Sequence, residues 1–259
     1  MRHSKRHAEI MRLVRDEGIS GIAELAARLG VSQETIRRDV RPLTDDGQLL
    51  KMHGAVTLPY RVEEAPFERR MRENAEAKRA IAVQTALHIA DGDSVMLDTG
   101  TTTSLLAREL LKKRNLTVVT NSSDIARTLA TVNGNTVYMA GGELHGDNGA
   151  AFGPSAIAFV ERFKVRHAII SIGAVDSEAG LMDYNLAEAE FARVVLTRGQ
   201  RATVVTDRSK FGRSGLVKVC GFADIDLMVT DALPDAELVA PLHEAGVTIE
   251  VARPEDAQD

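Results

Sequence analysis

Arg37, Arg38 and Arg41 sit beside Gln33 and Thr35 in the stretch Val31-Ser-Gln-Glu-Thr-Ile-Arg-Arg-Asp-Val-Arg-Pro-Leu43. Guanidinium, amide and hydroxyl groups are those that pair with phosphate oxygens and with the acceptor-rich base edges of a DNA major groove. Spacing decides whether they act together. Ile36, Val40 and Leu43 fall at i, i+4 and i+7, so a helix starting at Gln33 turns them inward and leaves the polar residues outside. Ser32, able to accept from a backbone amide further on, is a good N-cap for it. The same residues would also suit an ordinary solvated helix face, so their surroundings decide.

A second set of polar residues follows apolar runs later in the chain: Asp98-Thr99-Gly100-Thr101-Thr102-Thr103, Thr120-Asn121-Ser122, Gly141-Gly142-Glu143, Ser171 to Asp176, and Thr206-Asp207-Arg208-Ser209-Lys210. Thr99, Gly100 and Thr101 stand between a predicted strand and a predicted helix. Their amides and hydroxyls would meet at a helix N-terminus, where partial positive charge favours an anion. Lys210 would add a full charge. The loop lacks the Gly-Lys-Ser/Thr ending of a Walker loop and the Gly-x-Gly-x-x-Gly dinucleotide pattern, so a phosphomonoester on a small molecule suits it better. In any single loop these residues could merely cap helices. Several such loops on one sheet edge favour a binding site.

The elements that must position these groups are legible from period. Ile22 to Leu29 predicts a short helix ended by Gly30, and Arg6 to Glu17 a third helix. Helix, brief glycine turn and basic second helix make a helix-turn-helix. Leu49 to Leu58 reads as two short strands around a turn, a wing bringing Lys51 and His53 to the same face. Pro59 begins a break; Tyr60 to Phe67 reads as a linker, and Glu68 to Ala90 as a charged helix. From Asp93, runs at Val95–Leu97, Leu116–Val119, Thr136–Met139, Ala168–Ile172, Ala202–Val205, Leu227–Val229 and Val247–Val251 alternate with helical stretches. That alternation predicts a parallel sheet covered on both faces. In such a sheet, ligands collect at the carboxyl ends of the strands.

Charge is distributed to match. The whole chain is formally -5, but residues 1–58 carry 10 Lys/Arg against 8 Asp/Glu, leaving 22 against 29 in the remainder. A modestly basic head on an acidic body is compatible with phosphate contact. No apolar run of about 18 residues is present to span a bilayer, and no apolar core follows the basic N-terminus; a cytoplasmic, membrane-independent protein is expected. The single cysteine, Cys220, reads as a buried thiol, and the histidines show no metal-ligand spacing, so neither metal nor cofactor is expected.

Arg6-His-Ala-Glu-Ile, Ile22-Ala-Glu-Leu-Ala, Val31 to Val40 with its Thr-Ile-Arg-Arg-Asp run, and His53-Gly54 together resemble the winged helix-turn-helix of the DeoR family of bacterial transcriptional regulators. Ala55 stands where the family usually has a second glycine. The resemblance continues through Asp98-Thr-Gly-Thr-Thr, Val119-Thr-Asn-Ser, Gly141-Gly-Glu-Leu, Gly153-Pro-Ser-Ala and Asp207-Arg-Ser-Lys-Phe. It implies an α/β chain: a winged helix-turn-helix at 1–58, a linker and hinge at 59–78, and at 79–259 a doubly wound, mainly parallel sensor domain with a fold similar to ribose-5-phosphate isomerase. It further implies a homodimeric or homotetrameric repressor, not an enzyme, released from double-stranded operator DNA by a phosphorylated sugar or polyol. DNA contacts are expected from Ser32, Gln33, Thr35, Arg37, Arg38, Arg41, Lys51 and His53. Carried onto matching positions, Thr99 to Thr103 and Lys210 would hold the phosphate, Asp176 and Glu188 the polyol end, with Asp98, Asn121, Gly141 and Gly142 completing the site. Gly141-Gly-Glu-Leu and Lys210-Phe-Gly-Arg are similar to the glycerol-3-phosphate branch of the family, making glycerol 3-phosphate a candidate effector. Two other readings stand beside this one: a sugar-phosphate isomerase with an accessory N-terminal module, and a DNA-binding head on a purely dimerising body.

Overall fold

In the computed structural model, which describes residues 2–17, 19–46, 48–52, 54–57 and 64–253, the chain divides into two units, Met1–Ala65 and Pro66–Asp259. The first contains α1 (Arg2–Glu17), β1 (Ile19–Gly21), α2 (Ile22–Leu29), α3 (Gln33–Asp45), β2 (Leu50–Met52) and β3 (Ala55–Thr57). Gly30 ends α2 at φ 62°, in the left-handed region that a side chain disfavours, and Ser32 Oγ caps α3 by accepting from Thr35 N at 3.2 Å. Ile10, Leu13, Leu25, Ile36, Val40 and Leu43 close the core between the helices. The β2–β3 hairpin turns through Gly54, φ 70°. Strand β1, which period did not announce, pairs antiparallel with the outer side of β3. Its three residues are too few for a period to register.

Asp39 lies on the buried stripe of α3 with Ile36, Val40 and Leu43, and is only 1% exposed. A buried carboxylate needs a partner. Arg6 Nε of α1 donates to Asp39 Oδ2, so one charged pair fixes α1 against the helix that carries the arginines.

The second unit holds a parallel sheet of β4 (Ser94–Leu97), β5 (Thr117–Thr120), β6 (Thr136–Met139), β7 (Val165–Ser171), β10 (Gly199–Val205), β12 (Leu227–Thr230) and β13 (Thr248–Val251), in the order β13-β12-β10-β7-β4-β5-β6. These match the seven runs read from the sequence. Alternate residues face opposite sides of a strand. Val95, Leu97, Val118, Ile169, Val205, Leu227 and Val229 pack with α5 (Ala75–Ala86), α6 (Thr101–Glu109) and α7 (Ser123–Leu129). Met96, Val119, Ala168, Ile170, Val204 and Met228 pack with α8 (Pro154–Val160), α9 (Leu186–Leu196) and α10 (Ala236–Glu244). Two cores on one sheet make the doubly wound arrangement. A small antiparallel sheet, β11-β9-β8, is formed by β8 (Ala174–Asp176), β9 (Gly180–Asp183) and β11 (Val217–Cys220).

The stretch expected as one helix from Glu68 to Ala90 is two, α4 (Phe67–Arg72) and α5, because Asn74 between them takes φ 53°. Asparagine tolerates that conformation better than most residues, and here Asn74 Nδ2 is held by Asp207 Oδ1 at 3.0 Å. Of the segment expected as linker and hinge, residues 59–63 lie outside the described residues, while Phe67 and Lys78 are buried in the second unit. Among the described residues no helix is long and apolar enough to cross a membrane.

Replacing Asp39 with Ala removes the charge-assisted hydrogen bond from Arg6 and frees α1 from α3 at that point. Hydrogen exchange of the α1 and α3 amides in Asp39→Ala is expected to speed up while the strands of the second unit keep their protection. Unchanged exchange in α1 would deny the pair this fixing role.

Candidate functional site

The head presents Gln33, Arg37, Arg38 and Arg41 as exposed side chains on α3, with Lys51 exposed on β2. A groove of about 840 Å³ between α3 and the hairpin is lined by Ser32, Thr35, Arg37, Arg38, Arg41 and Lys51. Arg37 lies 3.5 Å from Glu34 and Arg41 4.0 Å from Asp45, both pairs highly exposed. Exposed pairs of this kind contribute little and leave the guanidinium groups available to phosphates. Ser32 is occupied as the cap and its hydroxyl also meets Thr35 Oγ1 at 2.9 Å. His53 lies outside the described residues.

In the second unit, the order in which strands are added reverses between β4 and β7, all strands staying parallel: β5 and β6 lie to one side of β4, and β7, β10, β12 and β13 to the other. A crevice forms at the carboxyl end of such a reversal. Gly100 stands there because nothing larger fits: a Cβ on it would lie 1.8 Å from Ser171 Oγ at the end of β7. As the N-cap of α6, Gly100 leaves the first helical amides without a side-chain acceptor. Thr99, Thr101, Thr102 and Thr103 are all buried. Thr103 Oγ1 donates to the carbonyls of Asp98 and Gly100 at 3.0 and 3.1 Å, while Thr99 Oγ1 has no hydrogen-bond partner among the described residues.

Asp98 accepts from Ser171 N through both oxygens at 3.1 Å. Burial raises its carboxyl well above the usual range against that amide bond, and Asp183 and Glu188 push it further up. Glu188 Oε1 accepts from Asn148 Nδ2 at 3.0 Å. Asp183 stands across from Gly173, where an added Cβ would come within 3.4 Å of the Asp183 Cα. Asn121 Nδ2 donates to Ala151 O at 2.9 Å, and its Oδ1 is buried with no partner among the described residues.

A cationic group gathers at the end of β10. Lys210 follows Asp207 in a 3-10 turn capped by the Asp207 carboxylate. Lys78 of α5 is 4% exposed, donates to the Arg70 carbonyl, and feels Asp207, Lys210, Arg70 and Glu73. Its pKa falls from 10.5 to about 8, chiefly through burial, with Asp207 opposing the fall.

The structure thus brings together Asp98 to Thr103, Asn121 and Glu188, with Lys210 two strands away. Asp176 is engaged elsewhere: its carboxylate accepts from Glu178 N and Ala179 N at 3.0 and 2.9 Å, closing the β8–β9 turn, which lowers its pKa. Gly141 and Gly142 are exposed beyond the edge strand β6. Lys78, Asp183 and Asn148 were not among the residues expected here. A signal for Lys78 existed: with Ile81, Ala82 and Thr85 it completes an i, i+3, i+4, i+7 buried stripe, an unusual place for an unneeded lysine.

Residues 73–232 match the DeoR C terminal sensor domain and residues 6–62 the DeoR-like helix-turn-helix domain. The chain is 31% identical to the glycerol-3-phosphate regulon repressor of Escherichia coli (strain K12), over 97% of this chain and all of that protein. It is 33% identical to the HTH-type transcriptional repressor CsqR of the same organism, over 94% of each. Among solved structures, ribose 5-phosphate isomerase A from Methanocaldococcus jannaschii is similar with a TM-score of 0.40 at 16% identity, covering 54% of this chain and 55% of that one.

Because a depressed lysine pKa disfavours the folded state below it, Lys78 costs stability most fully below pH 8, and that cost is withdrawn as pH rises toward 10.5. Relative to Lys78→Met, the parent chain is therefore expected to gain thermal stability across that window. Parallel stability curves over the same range would contradict a charged, buried Lys78.

Proposed function

The chain belongs to the DeoR family and is a DNA-binding transcriptional repressor; we propose that its head reads operator DNA through α3 and the hairpin, and that a phosphorylated sugar or polyol at the β4–β7 crevice releases it. The observation that carries the effector half is the loop after β4, where Gly100 admits close approach, α6 opens without a side-chain cap, and Thr99 Oγ1 is buried without a partner among the described residues. Buried polar groups are rarely left unpaired. The first amides of α6, with Thr99, Thr101 and Thr102, take the phosphate; Lys210 adds charge from β10. Glycerol 3-phosphate is the first effector to try, since a relative of this length bears that regulon's name.

Arg38, exposed and without an ion pair among the described residues, leads the DNA contacts with Arg37 and Arg41. A single head gives too few phosphate contacts to compete at physiological salt, so a homodimer or homotetramer supplies two heads for repeated half-sites. Effector binding then favours the released arrangement by a few kcal/mol, as a nearly complete population shift requires. A route for that bias leaves the crevice through consecutive residues: Asn148 holds Glu188, and the Asp147 carboxylate caps α4 by accepting from Phe67 N at 3.1 Å. Helix α4 is the first element after the division at Ala65.

Arg38→Ala is expected to weaken operator binding, to lower the slope of log affinity against log salt by about 1, and to keep the effector response. Lys210→Ala is expected to bind operator normally and to ignore effector. Loss of operator binding by a folded Lys210→Ala protein, seen in a mobility-shift titration, would overturn this division of labour.

A further inference from the structure

Strand β6 ends the main sheet, and no strand of the described residues lies on its outer side. At its two ends Thr136 N and Ala140 N donate to the carbonyls of Leu116 and Thr120, both at 2.8 Å, so Thr136, Tyr138 and Ala140 bond toward β5. In a parallel ladder the alternate residues turn amide and carbonyl the other way. Val137 and Met139 therefore present two donors and two acceptors at the open edge. Such an edge is a template for a further strand, and sheets guard theirs with charges, prolines or bulges. Strand β6 has none of these. The 15 residues from Thr128 to Gly142 include no Asp, Glu, Lys or Arg, the longest such run in a chain where these make up 27%. Beside the edge lies an apolar patch: Tyr138 is 41% exposed, its ring 5.0 Å from that of Phe163, which in turn lies 5.3 Å from Phe159.

Charge and register name the occupant. At a two-fold interface each group meets its own copy, so a charged edge repels itself and an uncharged one does not. Antiparallel pairing centred on Tyr138 sets Val137 of one copy opposite Met139 of the other, and the reverse, so every outward backbone group of these residues gains a partner. Tyr138 then faces its counterpart in a non-hydrogen-bonded pair, where side chains come closest. We propose that β6 pairs antiparallel with β6 of a second copy about a two-fold axis at Tyr138, joining two main sheets into one. This rests on the oligomeric reading above and gives it a surface.

The register is testable by cross-linking, because a non-hydrogen-bonded antiparallel pair has Cα atoms about 4.5 Å apart, within the roughly 4.4–6.8 Å that a disulfide spans. The two copies of Thr136, each two residues from the axis, stand about 13 Å apart. Under mild oxidation the full chain carrying Tyr138→Cys is expected to become a covalent dimer, while Thr136→Cys, equally a surface position, does not; the parent, whose one thiol Cys220 is buried, is the control. Tyr138→Lys sets two ammonium groups opposite each other and is expected to halve the mass of the assembly in sedimentation equilibrium with an unchanged circular dichroism spectrum. Absence of the cross-link in a Tyr138→Cys chain that still assembles, equal cross-linking at both positions, or an assembly unaltered by Tyr138→Lys would overturn this surface and leave the oligomeric reading standing. A parent chain that sediments as a monomer would bring down both.

Discussion

The second unit is organised around one missing carbon. Gly100 lets the loop after β4 lie against Ser171 at a distance no side chain allows, and the backbone amide of Ser171 is then free to satisfy the Asp98 carboxyl. From that approach follow the bare opening of α6 and the burial of the five successive residues Thr99 to Thr103. Strand order supplies the position, since β4 and β7 part company there. The glycine supplies the closeness.

A buried ammonium, Lys78, and a buried carboxyl, Asp98, are both costly to keep. Burial depresses Lys78 and raises Asp98, and neither helps the fold as a well-packed apolar residue would. Sites that bind tend to hold such groups at the expense of stability. In the head the corresponding charged pair, Arg6 with Asp39, is satisfied within the unit and serves orientation instead.

Much of this was legible in the chain. The seven strands of the main sheet announced themselves because each is a short apolar run bounded by polar residues, and α2, Gly30, Ser32 and α3 because caps and period are local. Less legible were residues whose role depends on partners far away in sequence. Asp183 comes within electrostatic reach of Asp98 through the β8–β9 hairpin, while the Asp176 carboxylate closes that hairpin's turn. Asp39 and Lys78 were hidden differently. Each interrupts an apolar stripe, and period counting averages over such exceptions although a charge on a buried face is the more informative residue. The break between α4 and α5 rests on one left-handed asparagine, a residue equally at home in an unbroken polar helix face.

Asp147 and Asn148 are neighbours in the chain with separate duties, one holding the first turn of α4 and the other the Glu188 carboxylate. Under the proposed function, recognition and relay are therefore joined by a single peptide bond. Under the same proposal, the residues that contact the ligand can be exchanged without rebuilding the connection that passes its binding to α4.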